Sequence, residues 1–389
     1  MKRWTQATLS VVTALAGAAV AGCVSGNLPQ QHQATPDGSM ATDSGAADTG
    51  PIADGAVADG RSNPQVDGGS PAVGARDAGS VAFSLLVAET PPGPTVPQNL
   101  WSGVLRYTLN GDGASLVPAT GIDKTAVADP VGLAFRAASS EVFVANRHGN
   151  NAGDGVAGSI SRFVYDPTTG ALTANGTITG NGLSGVTQVA FNPVSGELFA
   201  ANYTGAGGIS RFTFDGQGNA SPNGTIGSGM ATGANVSPDG KRLYVTTNPS
   251  NAIRQFDLSS GTELAATMVT STTAMQQITV RGSSELYIAS PYNNTVYRFT
   301  LDASDNLVLK ESITGADAPV GIAFSPDGLE LFTGGHLNSD IIDRYQYNAQ
   351  SDTWTPTTKF TAPASLGYFM ILCDVSTGRA DAGSDAAHD

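Results

Sequence analysis

The chain has 389 residues, a formal net charge of −14 at pH 7 and a pI near 4.5, with only five lysines. That balance argues against nucleic acid or anionic lipid as a partner held by charge. Two cysteines in a chain of this length exclude a disulfide framework as the source of its stability.

The first residues read MKRWTQATLSVVTALAGAAVAGC. Lys2 and Arg3 give a positive start, and Leu9 to Val20 is an apolar run shorter than the ~20 residues a spanning helix needs. The run ends in Val20-Ala21-Gly22-Cys23, which resembles a bacterial lipobox. The resemblance implies a signal peptide over 1–22, cleavage before Cys23, and a lipidated Cys23 as the first residue of the mature protein. Val24 rather than aspartate follows Cys23, which for a Gram-negative lipoprotein implies the outer membrane. The expected location is therefore the bacterial cell envelope, on its periplasmic or its outer side. The other cysteine, Cys373, lies in the apolar run 367–375 and reads as a buried thiol.

Residues 24–80 lack Phe, Tyr and Trp and carry Asp37, Asp43, Asp48, Asp54, Asp59, Asp67 and Asp77 against Arg61 and Arg76. So little apolar surface cannot offset the entropy of ordering the backbone, so 23–80 reads as a disordered tether with a reach of roughly 40 Å. The tail 376–389 has the same composition and repeats the string DAGS of 77–80 at 381–384.

Between them, residues 81–375 repeat. Arg or Gln followed by an aromatic appears at Arg106-Tyr107, Arg162-Phe163, Arg211-Phe212, Gln255-Phe256, Arg298-Phe299 and Arg344-Tyr345, at spacings of 56, 49, 44, 43 and 46 residues. That is the beat of a β-propeller, in which a blade takes ~40–50 residues. Each unit divides into strands A to D. Strand A reads VGLAF (131–135), TQVAF (187–191), GANVS (233–237), QQITV (276–280) and VGIAF (320–324). A turn follows, clearest as Ser-Pro-Asp-Gly at 237–240 and 325–328. Strand B reads EVFVAN, ELFAAN, RLYVTTN, ELYIAS and ELFTGG, strand C carries the Arg-aromatic pair, and strand D is polar. No stretch keeps a helical period. Segments 83–89, 103–109 and 114–121 supply strands B, C and D of a further blade, and 364–372 supplies its strand A. The expected architecture is an all-β, six-bladed propeller closed by one C-terminal and three N-terminal strands, with seven blades as the alternative. The strand-C arginines are expected to pair with carboxylates or to cover ring faces between blades.

FAANYTGAGGISRF (199–212) and GIAFSPDGLELF (321–332) resemble the repeat of the bacterial lactonase-like (YVTN-type) β-propellers. The resemblance covers most of 81–375 and implies the propeller fold. It also implies, as one function, hydrolysis of a small lactone or ester. Family members named for sugar-lactone hydrolysis typically have seven blades, so a count of six is a departure.

In a propeller the B–C and D–A connections share one face. Three B–C loops are enlarged here, at 146–158, 90–103 and 335–340, and they bring His148, His336, Arg147 and Trp101 to that face. Asn146, Asn202 and Asn248 recur at the end of strand B, joined by Tyr203 and Tyr292. Trp101, Asn146, Asn202, Tyr203, Asn248 and Tyr292 are the candidate ligand-binding residues, and the recurrent asparagines also suit turn-capping. The string Asn150 to Asp154 lacks the carboxylates of a calcium loop, so no metal is assigned, and no cofactor motif is present. Two functions are compatible with this sequence. One is a membrane-anchored module binding a protein, glycan or small molecule on the B–C face. The alternative is a lactonase-type hydrolase using His148, His336 and Arg147.

Overall fold

The computed structural model describes residues 24–25, 84–90, 103–109, 116–119, 127, 129–147, 157–166, 169–264, 266–270, 272, 274–325, 327–335, 341–361 and 368–373. The expected signal peptide, Cys23 and the tail 376–389 lie outside these residues, as does the expected tether apart from Val24–Ser25.

Six antiparallel sheets form the blades, five of them meanders in chain order. Blade one comprises Pro130–Arg136, Glu141–Asn146, Ser159–Tyr165 and Leu172–Ile178 as strands A to D. Blade two comprises Val186–Phe191, Leu198–Asn202, Gly208–Phe214 and Ala220–Ile226, and blade three Ala231–Val236, Arg242–Thr247, Ala252–Asp257 and Thr267–Met268. Blade four comprises Ile278–Arg281, Glu285–Ser290, Thr295–Leu301 and Leu307–Thr314, and blade five Gly321–Phe324, Glu330–Gly334, Ile341–Asn348 and Thr353–Thr361. The closing blade joins Tyr368–Cys373 as strand A to Ser84–Thr90, Gly103–Leu109 and Leu116–Ala119 as strands B to D. Each innermost strand touches the next and the last returns to blade one, so the ring is closed with six blades. A two-residue bridge, Val24–Ser25, runs antiparallel to Gly321–Ile322.

Strand D shows why these sequences must stack. Leu172–Ile178 and Ala220–Ile226 are exposed along most of their length, whereas strands A and B are buried on both faces by neighbouring blades. Blade three differs from expectation in register. Its strand A spans Ala231–Val236, and Val236 pairs with Leu243 as Phe191 pairs with Leu198. Ser237 belongs to the turn, where its hydroxyl bonds Asp239 (2.6 Å) and accepts the Arg242 amide (2.9 Å).

The strand-C arginines do both things expected of them. Arg162 pairs with Glu141 (2.5 Å), Arg211 with Glu197 (2.7 Å), Arg298 with Glu285 and Arg344 with Glu330, each carboxylate standing at the head of strand B. Arg162 also lies over the rings of Phe143 and Phe214, the latter from the next blade. Blade three replaces the pair with Gln255 and Arg242, and Arg242 turns instead to Asp305 of blade four.

Two features shape the inner edges of the blades. Strand A begins with a β-bulge in blades one to three, where Val131, Thr187 and Thr232 are the unpaired extra residues. In blade four Gln276 takes this place, since Ala289 accepts from the Gln276 amide and donates to the Gln277 carbonyl. The second feature is an amide bridge across the inner edges. Gln188 accepts from the Ala234 amide of blade three (3.0 Å) and donates to the Ile278 carbonyl of blade four (3.0 Å). Gln277 does the same for the amide and carbonyl of Ile322 in blade five. Inner-edge groups that would otherwise be buried without partners are satisfied this way.

Candidate functional site

The B–C face carries the candidate site. Arg147 follows strand B of blade one, Tyr203 follows strand B of blade two, and Tyr292 sits in a short 3-10 turn, Pro291–Asn293, after strand B of blade four. Arg147 and Tyr292 both act on the charge of Tyr203. Burial pushes the Tyr203 phenol above its ordinary 10.0, the positive charge of Arg147 opposes that shift, and the Tyr292 phenol adds to it. Residues 56 and 145 positions after Arg147 in sequence thus act in one electrostatic neighbourhood. A neutral phenol beside a guanidinium offers an O–H donor and a positive charge, a pairing suited to a carbonyl, carboxylate or polyol oxygen.

Asp129 is the partner that sequence alone did not indicate. It sits in the connection entering blade one with φ of 52°, and its carboxylate accepts from Arg147 Nε at 3.0 Å. The Arg147 amide also donates to the Asp129 carbonyl at 3.1 Å, so backbone and side chain are both pinned. Both side chains are mostly buried, at 15% and 7% exposed, so the guanidinium is oriented before any ligand arrives. The only sequence signal was Asp129 preceding Pro130, one residue before a strand.

The recurrent asparagines are placed differently from the tyrosines. Asn146 is buried and donates to Ser159 Oγ (3.1 Å) and Ser161 Oγ (2.9 Å) of strand C. Asn202 repeats the arrangement, donating to Ser210 Oγ (2.9 Å) while its carbonyl oxygen accepts the Ser184 amide (3.0 Å). These carboxamides latch strand B to strand C inside the blade. Asn248 is half-buried in the B–C turn of blade three, where its amide donates to the Met230 carbonyl. Trp101, His148, His336 and the string 150–154 lie outside the described residues. Among the described residues no cluster of His, Cys, Asp and Glu could hold a metal ion, and no helix is long and apolar enough to cross a membrane.

No family model matches the sequence, and no curated protein matches it. Solved structures do share the fold. A periplasmic gluconolactonase from Pseudomonas aeruginosa superposes with a TM-score of 0.53 at 15% identity, covering 75% of this chain and 99% of that one. A candidate 6-phosphogluconolactonase from Bacteroides uniformis gives 0.51 at 18% identity, covering 72% and 82%. A chain of the nidogen/laminin complex gives 0.53 at 15% identity, covering 75% and 98%. Propellers named for lactone hydrolysis and a propeller caught in a protein complex are thus equally similar, and the likeness is one of fold.

Proposed function

We propose that this chain is a lipid-anchored protein of the bacterial cell envelope whose propeller binds a small oxygen-rich ligand at the mouth of the B–C face. The observation that carries the reading is the convergence of Arg147, Tyr203 and Tyr292 from three blades, with Arg147 oriented by Asp129. A half-buried neutral phenol and a pre-oriented guanidinium are the kind of few, convergent polar groups that fix a ligand in a concave site. Cys23 supplies the anchor in this reading, and Cys23→Ala should release the protein from membranes.

The test is a calorimetric titration of the detergent-solubilised mature protein with gluconate and with glucono-δ-lactone. Binding that weakens about tenfold or more in Arg147→Met, the loss expected for one charge-assisted hydrogen bond, supports the reading. Binding untouched by Arg147→Met places the ligand elsewhere. A second reading, lactone hydrolysis, is favoured by the gluconolactonase among the fold neighbours. There Arg147 and the Tyr203 phenol would polarise the ring carbonyl, with water as the nucleophile. Hydrolysis of glucono-δ-lactone above the uncatalysed rate, lost in both Arg147→Met and Tyr203→Phe, would make the protein an enzyme. Equal rates with and without protein would leave binding as its role.

A further inference from the structure

Within that mouth-binding reading, we infer that Gln276 sets specificity, and that its carboxamide pairs with the acetamido group of an N-acetylated hexosamine. The bulge at the start of strand A re-aims a side chain in each blade, as bulges beside sites commonly do. In blades two and three the re-aimed residue is a threonine already satisfied: Thr187 Oγ1 donates to the Ala231 carbonyl, and Thr232 Oγ1 to the Thr246 carbonyl. In blade one it is Val131, which has nothing to satisfy. Gln276 is the exception. Its side chain is fully buried, and neither Nε2 nor Oε1 has a hydrogen-bond partner. Buried polar groups in native proteins are nearly always paired, so an orphaned donor and acceptor on one side chain point to a missing partner.

Gln276 leads into strand A of blade four beside the end of strand B, on the side of the B–C loops. Ala289 exchanges backbone bonds with Gln276 and Gln277, and the Tyr292 ring, 56% exposed, follows three residues later. Asn251 adds a second orphan at the same junction of blades three and four. Its Nδ2 donates to the Thr272 carbonyl while its Oδ1 is buried without a partner, and the Thr272 hydroxyl bonds that of Ser290 at 2.5 Å. A carboxamide with both groups unused matches another amide through two parallel bonds, N–H to C=O and C=O to H–N. Hydroxyls alone offer no such planar pair. The exposed Tyr292 ring supplies a face for the C–H side of a pyranose. Gln276 is fully buried, so in this inference its carboxamide turns about its three side-chain bonds to reach the ligand.

The experiment titrates the detergent-solubilised mature protein with N-acetylglucosamine and, in parallel, with glucose, which lacks the amide. Wild type should prefer N-acetylglucosamine by about tenfold or more, the worth of a buried hydrogen-bonded pair. Gln276→Met keeps length and shape while removing both polar atoms. It should erase that preference and leave the thermal midpoint of the ligand-free protein unchanged or higher. A preference that survives in Gln276→Met overturns the inference. So does a clear fall in that variant's ligand-free midpoint, which would mean that the protein itself satisfies the carboxamide. Gln276→Glu provides a second variant, with the same loss of preference expected. Arg147-dependent binding of gluconate without any preference for N-acetylglucosamine sinks this inference and leaves the mouth reading standing. Failure of all the sugars to bind sinks both.

Discussion

The Arg298 guanidinium, with no exposed surface, crosses from blade four to bond both the carboxylate (2.5 Å) and the backbone carbonyl (2.8 Å) of Asp352 in blade five. It also pairs with Glu285 on its own blade, whose carboxylate accepts from Arg281 (2.8 Å) and the Tyr287 hydroxyl (2.9 Å). Tyr287 in turn accepts from Trp354 Nε1 at 3.0 Å, and Arg281 lies 3.9 Å over the Tyr347 ring. Blades one and two hold an Arg–Glu pair within one blade, Arg162–Glu141 and Arg211–Glu197, where this junction holds a network spanning two blades.

Arg298→Met should therefore be the most damaging of the strand-C arginine substitutions. It removes the guanidinium shared by Glu285, Glu311 and Asp352, and because Arg281 and Lys310 still serve the first and last, the loss should be about 3 kcal/mol, the low end for a broken buried pair. Arg254→Met, whose partner Glu263 is 38% exposed, should cost about 1 kcal/mol or less. Urea denaturation midpoints of the two variants check the contrast. Similar midpoints would mean the interblade network contributes no more than a surface pair.

The same junction should respond to acid. Hydrogen bonds from Lys310, Tyr347 and Arg298 hold the Asp352 carboxyl well below the usual carboxylate range. Burial alone would raise Glu285, but its bonds from Arg298, Arg281 and Tyr287 outweigh that and hold it below its ordinary value. Both groups have folded values depressed relative to about 4 in the unfolded chain. Their contribution is thus fully present above that value and is lost as pH falls through the folded values. The melting temperature should be level from pH 7 to about 5 and decline below about 4. Asp352→Asn should shallow that decline, and an acid limb of unchanged slope would remove Asp352 from it.

The blades were readable because their chemistry recurs locally. A Glu opening strand B and an Arg 13 to 21 residues later on strand C face each other wherever both occur, as in Glu285–Arg298 and Glu141–Arg162. Blade three lacks that pair and the strand-A phenylalanine, and there the expected strand began two residues late. The mouth was readable only in part. Tyr203 and Tyr292 marked themselves by following strand B, but nothing local shows that they meet across the ring. Asp129 carries no motif, because its partnership with Arg147 arises from a connection folding back 18 residues away. Gln276 reads as one more strand residue until the bulge and its missing partners are seen.

Gly233 should tolerate no side chain, for a reason invisible in its sequence neighbours. A Cβ there would lie 2.6 Å from Gln188 Oε1, 2.6 Å from Thr246 Oγ1 and 2.7 Å from the Gln276 carbonyl. The first two atoms are side-chain atoms that already hold hydrogen bonds, and the third is backbone. Gly233→Ala should cost about 1–3 kcal/mol by overpacking. Adding Gln188→Ala should recover little, because it orphans the Ala234 amide and leaves the carbonyl clash. Equilibrium unfolding of the single and double variants decides it, and full recovery in the double variant would show that the glutamine alone sets the limit.

The mouth can be tested without any ligand through the titration of Tyr203. Its phenol stands above 10.0 because burial disfavours the phenolate, with the Arg147 charge pulling the other way and Tyr292 adding to the rise. Removing the charge in Arg147→Met should move the Tyr203 midpoint further up, since phenolate loses its favourable neighbour. Tyr292→Phe should move it down, because a nearby group that itself becomes negative at high pH is gone. Tyr203→Phe identifies the transition in the absorbance of ionised tyrosine near 295 nm, or in the ring resonances. Opposite shifts in the two variants would establish that three blades bring these groups into one site. A Tyr203 midpoint indifferent to both would separate the residues, and with them the site.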